Sequence, residues 1–244
     1  MNDTRSPYQK YSPTDSWQTP QSGWGSIQTA AQASLEERTG FIRKVYALFF
    51  LGIFFAIAGV FVGFNVPGLM SAIVYHPFIT LLVMIGGVYG AQAVRHQPVL
   101  NVAALFGFTT LTGLIMSPVM AFFAATNPNS LLQAAVLTVG IFGGLTAYVF
   151  VSKKDFSFMR GMVTTGLIIV VLSMLLNIFI VSSAFSFAIS VAALLLFSGF
   201  VLYDTSNIIK RYPTNEYIAG ALSLYLDAFN IFLALLRILN AGRR

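Results

Sequence analysis

The stretch Tyr217-Ile-Ala-Gly-Ala-Leu-Ser-Leu-Tyr-Leu-Asp-Ala-Phe-Asn-Ile-Phe-Leu-Ala-Leu-Leu-Arg-Ile-Leu239 is long enough to cross a bilayer, yet it is not uniformly apolar. A helix of about 20 residues spans the ~30 Å hydrocarbon core. Gly220, Ser223, Asp227, Asn230, Ala234 and Arg237 recur at steps of three and four, so they share one helical face. The opposite face is Leu, Ile and Phe. A carboxylate facing lipid near the bilayer centre costs roughly 2.5 kcal/mol or more. The polar stripe must therefore face other helices or water, and this segment is expected to be enclosed by the rest of the protein.

Six further apolar segments precede it: Val45–Phe64, Phe78–Val94, Val99–Phe123, Leu131–Val151, Gly161–Val181 and Phe185–Tyr203. Turn residues separate them, as in Asn65-Val66-Pro67-Gly68, His76-Pro77, Asn127-Pro128-Asn129 and Tyr212-Pro213-Thr214-Asn215. Charged residues are only 9% of the chain, hydrophobic residues 57%, and the mean hydropathy is +0.78. A soluble chain of this length could not hide that much apolar surface, so lipid is part of its solvent. The reading is an all-α polytopic integral membrane protein of seven transmembrane helices, the last enclosed by the other six. Residues 34–244 form that domain. Residues 1–33 are rich in Ser, Thr, Gln and Pro and lack an apolar run, so they read as a disordered polar tail and not as a signal peptide.

The net charge of +6 is no sign of nucleic acid, because Lys and Arg are dispersed between apolar segments. Arg38, Arg43 and Lys44 precede the first span. Arg95 follows the second, Lys153, Lys154 and Arg160 follow the fourth, and Lys210 and Arg211 follow the sixth. The other three links carry no cation. By the positive-inside rule the N-terminus and the charged links are cytoplasmic. Arg237, Arg243 and Arg244 at the far end of the seventh segment run against that pattern. The last segment thus either crosses against the rule or re-enters and returns. Inside the spans, Gly86, Gly87 and Gly90, and Gly140, Gly143 and Gly144, are expected to let helices approach closely. Pro118 is expected to kink the third span.

Asp227 lies about ten residues, or ~15 Å, into its helix. Asp204 closes the sixth span and enters from the same side. If that span continues helically to Arg211, Asp204 reaches a comparable depth and the two carboxylates meet. Two carboxylates close together in a low dielectric cannot both stay ionised, and they can share a proton. The pair also offers oxygen ligands to a hard cation such as Ca²⁺. Arg95 reads either as a topogenic charge or as a pairing partner. Ser223, Asn230 and Arg237 are the supporting polar stripe. With no cysteine and only His76 and His96, both in links, and with no intramembrane lysine, a membrane hydrolase or a retinal protein lacks its chemistry. The chain is not expected to be an enzyme or to carry a cofactor.

These segments resemble the Bax inhibitor-1 (transmembrane Bax-inhibitor-motif) family in its bacterial YccA-like branch, from about Glu36 to Arg244. The resemblance rests on Ala221–Ile238, with support from Thr112-Gly-Leu-Ile-Met-Ser-Pro-Val119, Ser152-Lys-Lys-Asp-Phe-Ser157 and Leu202-Tyr-Asp-Thr205. It implies a last helix wrapped by six and a pH-sensitive Ca²⁺ leak gated by an aspartyl pair, with an arginine competing for one aspartate. Asp204, Asp227 and Arg95 stand at those positions. Ala228 departs from the family, where an aromatic is common, and implies a local packing difference. The expected location is a bacterial inner membrane, and the expected partners are the bilayer, Ca²⁺ and protons. The alternative is a non-conducting regulator of other membrane machinery, such as a membrane protease.

Overall fold

A computed structural model describes residues 28–94, 97, 99–180 and 182–241. Its helices are α1 (Leu35–Asn65), α2 (Leu69–Tyr75), α3 (Pro77–Ala93), α4 (Leu100–Thr126), α5 (Pro128–Ser152), α6 (Arg160–Ile180), α7 (Ser183–Lys210) and α8 (Tyr217–Ala241), with a 3₁₀ turn at Ser157–Met159. Among the described residues there is no strand beyond an isolated bridge between Thr29 and Pro213.

Local chemistry sets the helix starts. Ser34 and Glu37 form a reciprocal capping box on α1, the Glu37 amide donating to Ser34 Oγ at 3.3 Å and the Ser34 amide to Glu37 Oε2 at 3.2 Å. Ser182 caps α7 by accepting from the Phe185 amide at 3.3 Å, which upholds the break between the fifth and sixth spans. Pro128 opens α5, where its missing N–H costs nothing.

Six helices are long and apolar enough to cross a bilayer alone, and α2 with α3, a pair bent by 100°, is either a broken seventh span or a re-entrant loop. The protein is thus a polytopic all-α membrane protein. Outward-facing side chains are large and apolar, as at Phe54 (66% exposed), Ile178 (68%) and Leu195 (70%), a surface that only hydrocarbon can cover. α8 runs unbroken over 25 residues, long and apolar enough for a full crossing and with no break at which a re-entrant segment would turn. Arg243 and Arg244 lie outside the described residues.

α8 is the central helix: 61% of its apolar stretch is buried, against 11 to 39% in the other five single-helix spans. α7, α5 and α1 supply most of its packing and α4 touches it, while α6 packs chiefly on α7 and α3 on α4. The enclosing wall therefore has an inner and an outer layer.

Three expectations change. The close helix approach occurs where α1 crosses α4, at Gly59, Gly63 and Gly113: a Cβ on Gly113 would fall on the Ala56 carbonyl, and one on Gly59 on the Thr110 carbonyl. Gly86, Gly90, Gly140, Gly143 and Gly144 face open space, and only Gly87 packs closely, on Leu111 and Phe108. Glycine spacing alone does not reveal which face meets a neighbour. Residues 28–33, read as part of a disordered tail, are ordered: the Ala30 amide donates to the Tyr212 carbonyl at 2.9 Å, and Ala30 is fully buried. Finally, the first span begins ten residues earlier than its apolar run, because the capping box extends α1 into polar sequence.

Candidate functional site

α7 does continue as a helix to Lys210, which carries Asp204 down into the bundle beside α8. The Asp204 and Asp227 carboxyls lie close enough to interact directly. Ionised carboxylates only accept, so two carboxyls this close can bond each other only when one carries a proton. Asp227 is 3% exposed, and its Oδ2 is buried with no hydrogen-bond partner. An orphaned carboxylate oxygen in a dry interior is costly. A proton, cation or donor placed against that oxygen would relieve the cost. Among the described residues no third Asp, Glu or His joins the pair. A divalent ion held here would draw on two carboxylates and complete its shell with hydroxyls, carbonyls or water.

Hydroxyls crowd the surroundings. Thr205, next to Asp204, is fully buried and turns its hydroxyl towards Tyr46 of α1, which also approaches Thr146 of α5. None of these three oxygens makes a well-formed hydrogen bond. Tyr225, half a turn before Asp227, bonds to Thr112 of α4. Above the pair, Tyr212 in the α7–α8 link shares a hydrogen bond with Ser223 at 3.3 Å. Burial pushes the Tyr212 hydroxyl up to about 12, and the carboxylates of Asp204 and Asp227 push the same way, against the Ser223 bond. Tyr212 thus stays a hydroxyl at any physiological pH. The segment at residues 28–30 lies across this link through the Thr29–Pro213 bridge.

A second structure fixes the α7 end of the site. The link after α5 folds back onto α7, where the Phe156 amide donates to buried Ser206 Oγ at 3.0 Å. At the rim, Arg211 Nη2 reaches Asp155 Oδ2 at 3.1 Å and Ser157 Oγ at 2.6 Å, and Lys210 Nζ donates to the Lys153 carbonyl at 2.8 Å. Hydrogen bonds from the Ser157 backbone and hydroxyl, and then Arg211, pull the Asp155 carboxyl down to about 2. The Ser152–Ser157 motif stands out in the sequence but this role does not, because the contacts join residues 50 or more positions apart.

The expected stripe on α8 divides. Ser223 belongs to the site through Tyr212. Asn230 donates to its own helix, to the Leu226 carbonyl at 2.8 Å, and joins no neighbour. Arg237 lies about ten residues beyond Asp227 and lines a cleft with Ser183, Ser186 and Asn240 at the opposite end of the bundle. Arg95 lies outside the described residues. Ala228 and Phe229 line an apolar cleft of about 310 Å³ shared with α1, α4 and α5.

The family model described as inhibitor of apoptosis-promoting Bax1 matches residues 38–244. The chain is 34% identical over 220 residues to Bax inhibitor 1 of Schizosaccharomyces pombe, covering 86% of this chain and 79% of that one. It is 32% identical over 219 residues to a Golgi anti-apoptotic protein of vaccinia virus (strain Lister), covering 88% and 91%. An uncharacterized membrane protein of Vibrio cholerae is 47% identical over 137 residues, 55% of this chain and 61% of that protein's length.

Proposed function

This chain belongs to the Bax inhibitor-1 family of membrane proteins, and we propose that it is a pH-sensitive cation leak channel with Ca²⁺ as cargo, gated by Asp204 and Asp227. One observation carries the reading: two facing carboxyls, one with a buried oxygen that has no partner, between the central helix and α7. A single proton or a cation between the carboxyls holds α7 to α8. Losing it leaves two like charges in a low dielectric, and repulsion drives the helices apart. Arg95 is the expected counter-charge that captures Asp204 once the pair separates. Two carboxylates are fewer oxygen ligands than a resident Ca²⁺ takes, which suits an ion that passes through. The charged end that holds the site faces the cytoplasm, and the membrane is a bacterial inner membrane.

The names of the fission yeast and viral relatives favour a second reading, a non-conducting regulator acting on other membrane proteins. Purified protein in Ca²⁺-loaded liposomes separates the two. Protein-dependent Ca²⁺ efflux supports the channel. Silent liposomes, with one membrane partner repeatedly recovered by affinity capture, support the regulator.

A further inference from the structure

Arg38, Lys153, Lys154 and Lys210 line one cleft of about 280 Å³ at the end of the bundle where α1 begins. They come from three elements: α1, the link after α5, and α7. The positive-inside rule asks only that such charges lie on one side of the membrane, and it does not ask them to converge. Among the described residues none of the four is paired with a carboxylate. Of the acids beside them in the chain, Asp155 is engaged by Arg211 at 3.1 Å and Glu37 by Ser34 Oγ at 3.0 Å. Lys210 does donate to the Lys153 carbonyl, and that contact brings two of the cations together without neutralising either.

The floor of the cleft has the opposite character. It is formed by Ile42, Val149, Phe150 and Ile209, with Val149 2% and Ile209 8% exposed, and these residues belong to membrane-spanning helices. A cationic rim over an apolar floor at the membrane boundary matches a phosphate ester with hydrocarbon beneath it. We propose that this cleft binds a phosphate-bearing anion, and that its occupant is an anionic phospholipid whose headgroup meets the four cations and whose acyl chain lies on Ile42, Val149 and Phe150. Free inorganic phosphate shares the headgroup chemistry but can use only the rim. The bound headgroup ties α1, the α5–α6 link and α7 together, with Ser206 in the same cleft, two residues from Asp204.

The test titrates purified full-length protein in detergent with short-chain phosphatidylglycerol, with phosphatidylcholine of the same chain length, and with inorganic phosphate, read by native mass spectrometry. Phosphatidylglycerol is expected to bind at least about tenfold tighter than phosphatidylcholine. Lys153→Gln with Lys154→Gln is expected to remove most of that preference, and adding Arg38→Gln and Lys210→Gln to abolish it. Arg43→Gln with Arg160→Gln, the same charge loss outside the cleft, is expected to change it less than about twofold. Both Lys residues of the first pair are exposed, so that variant folds. Phosphatidylglycerol that persists in millimolar phosphate identifies the lipid as the occupant, and displacement by phosphate assigns the rim to the free anion. Equal losses in the cleft and control variants, or no preference in the native protein, would overturn the site.

Discussion

The backbone amide of Phe156 donates to the hydroxyl of Ser206 across 3.0 Å in the protein interior, fastening the α5–α6 link to the turn of α7 that carries Asp204. The aspartyl pair is therefore framed by contacts far apart in sequence: α8 presents Asp227, α7 presents Asp204, and the link at residues 153–157 holds the α7 end in register.

Removing that hydroxyl tests the frame. Ser206→Ala leaves the Phe156 amide buried without an acceptor, which costs about 1–3 kcal/mol. Thermal unfolding in detergent should show a lowered midpoint, and Ser206→Thr, which keeps the oxygen, should recover part of it.

The outer clasp behaves differently. The Asp155 and Arg211 side chains are 42% and 57% exposed, so Asp155→Asn should cost under about 1 kcal/mol. The Asp155 carboxyl is held down at about 2 in the folded protein, below the usual carboxylate range. Its contribution is therefore complete above that ordinary range and is lost only as pH falls towards 2. Acidification from about pH 8 to 5 should leave the clasp intact. Asp155→Asn should thus leave the pH midpoint of Ca²⁺ flux unmoved, and a shifted midpoint would place pH sensing at the clasp.

The α1–α4 crossing gives a contrast between glycines. Gly113→Ala sets a methyl group against the Ala56 carbonyl, and Gly59→Ala against that of Thr110, so the helices must separate. Each should destabilise by about 1–3 kcal/mol or more. Gly86→Ala and Gly140→Ala add a methyl where nothing lies within 4 Å and should be neutral or slightly stabilising. Thermal unfolding of the four variants, read side by side, checks the assignment.

These contrasts mark what was legible in the sequence. The spans were, because apolar length is a direct demand of the bilayer. The meeting of Asp204 and Asp227 was as well, since helix rise converts residue number into depth and both segments enter from one end. Glycine contacts were not: Gly86 and Gly90 satisfy the spacing of a packing motif, but which face meets a neighbour is settled by the whole bundle. Asn230 shares the polar face, and spacing does not show that its amide satisfies itself on the carbonyl four residues back. The contacts of Phe156 with Ser206 and of Ala30 with Tyr212 join a backbone group to a distant partner, and no residue pattern announces them.

The most direct test of the gating account is Ca²⁺ efflux from proteoliposomes as a function of pH, comparing the native protein with Asp204→Asn and Asp227→Asn at matched protein density. The account predicts that native efflux rises as pH rises and the shared proton is lost, and that both variants give a flat profile. Variants that leak with the native pH profile would contradict it.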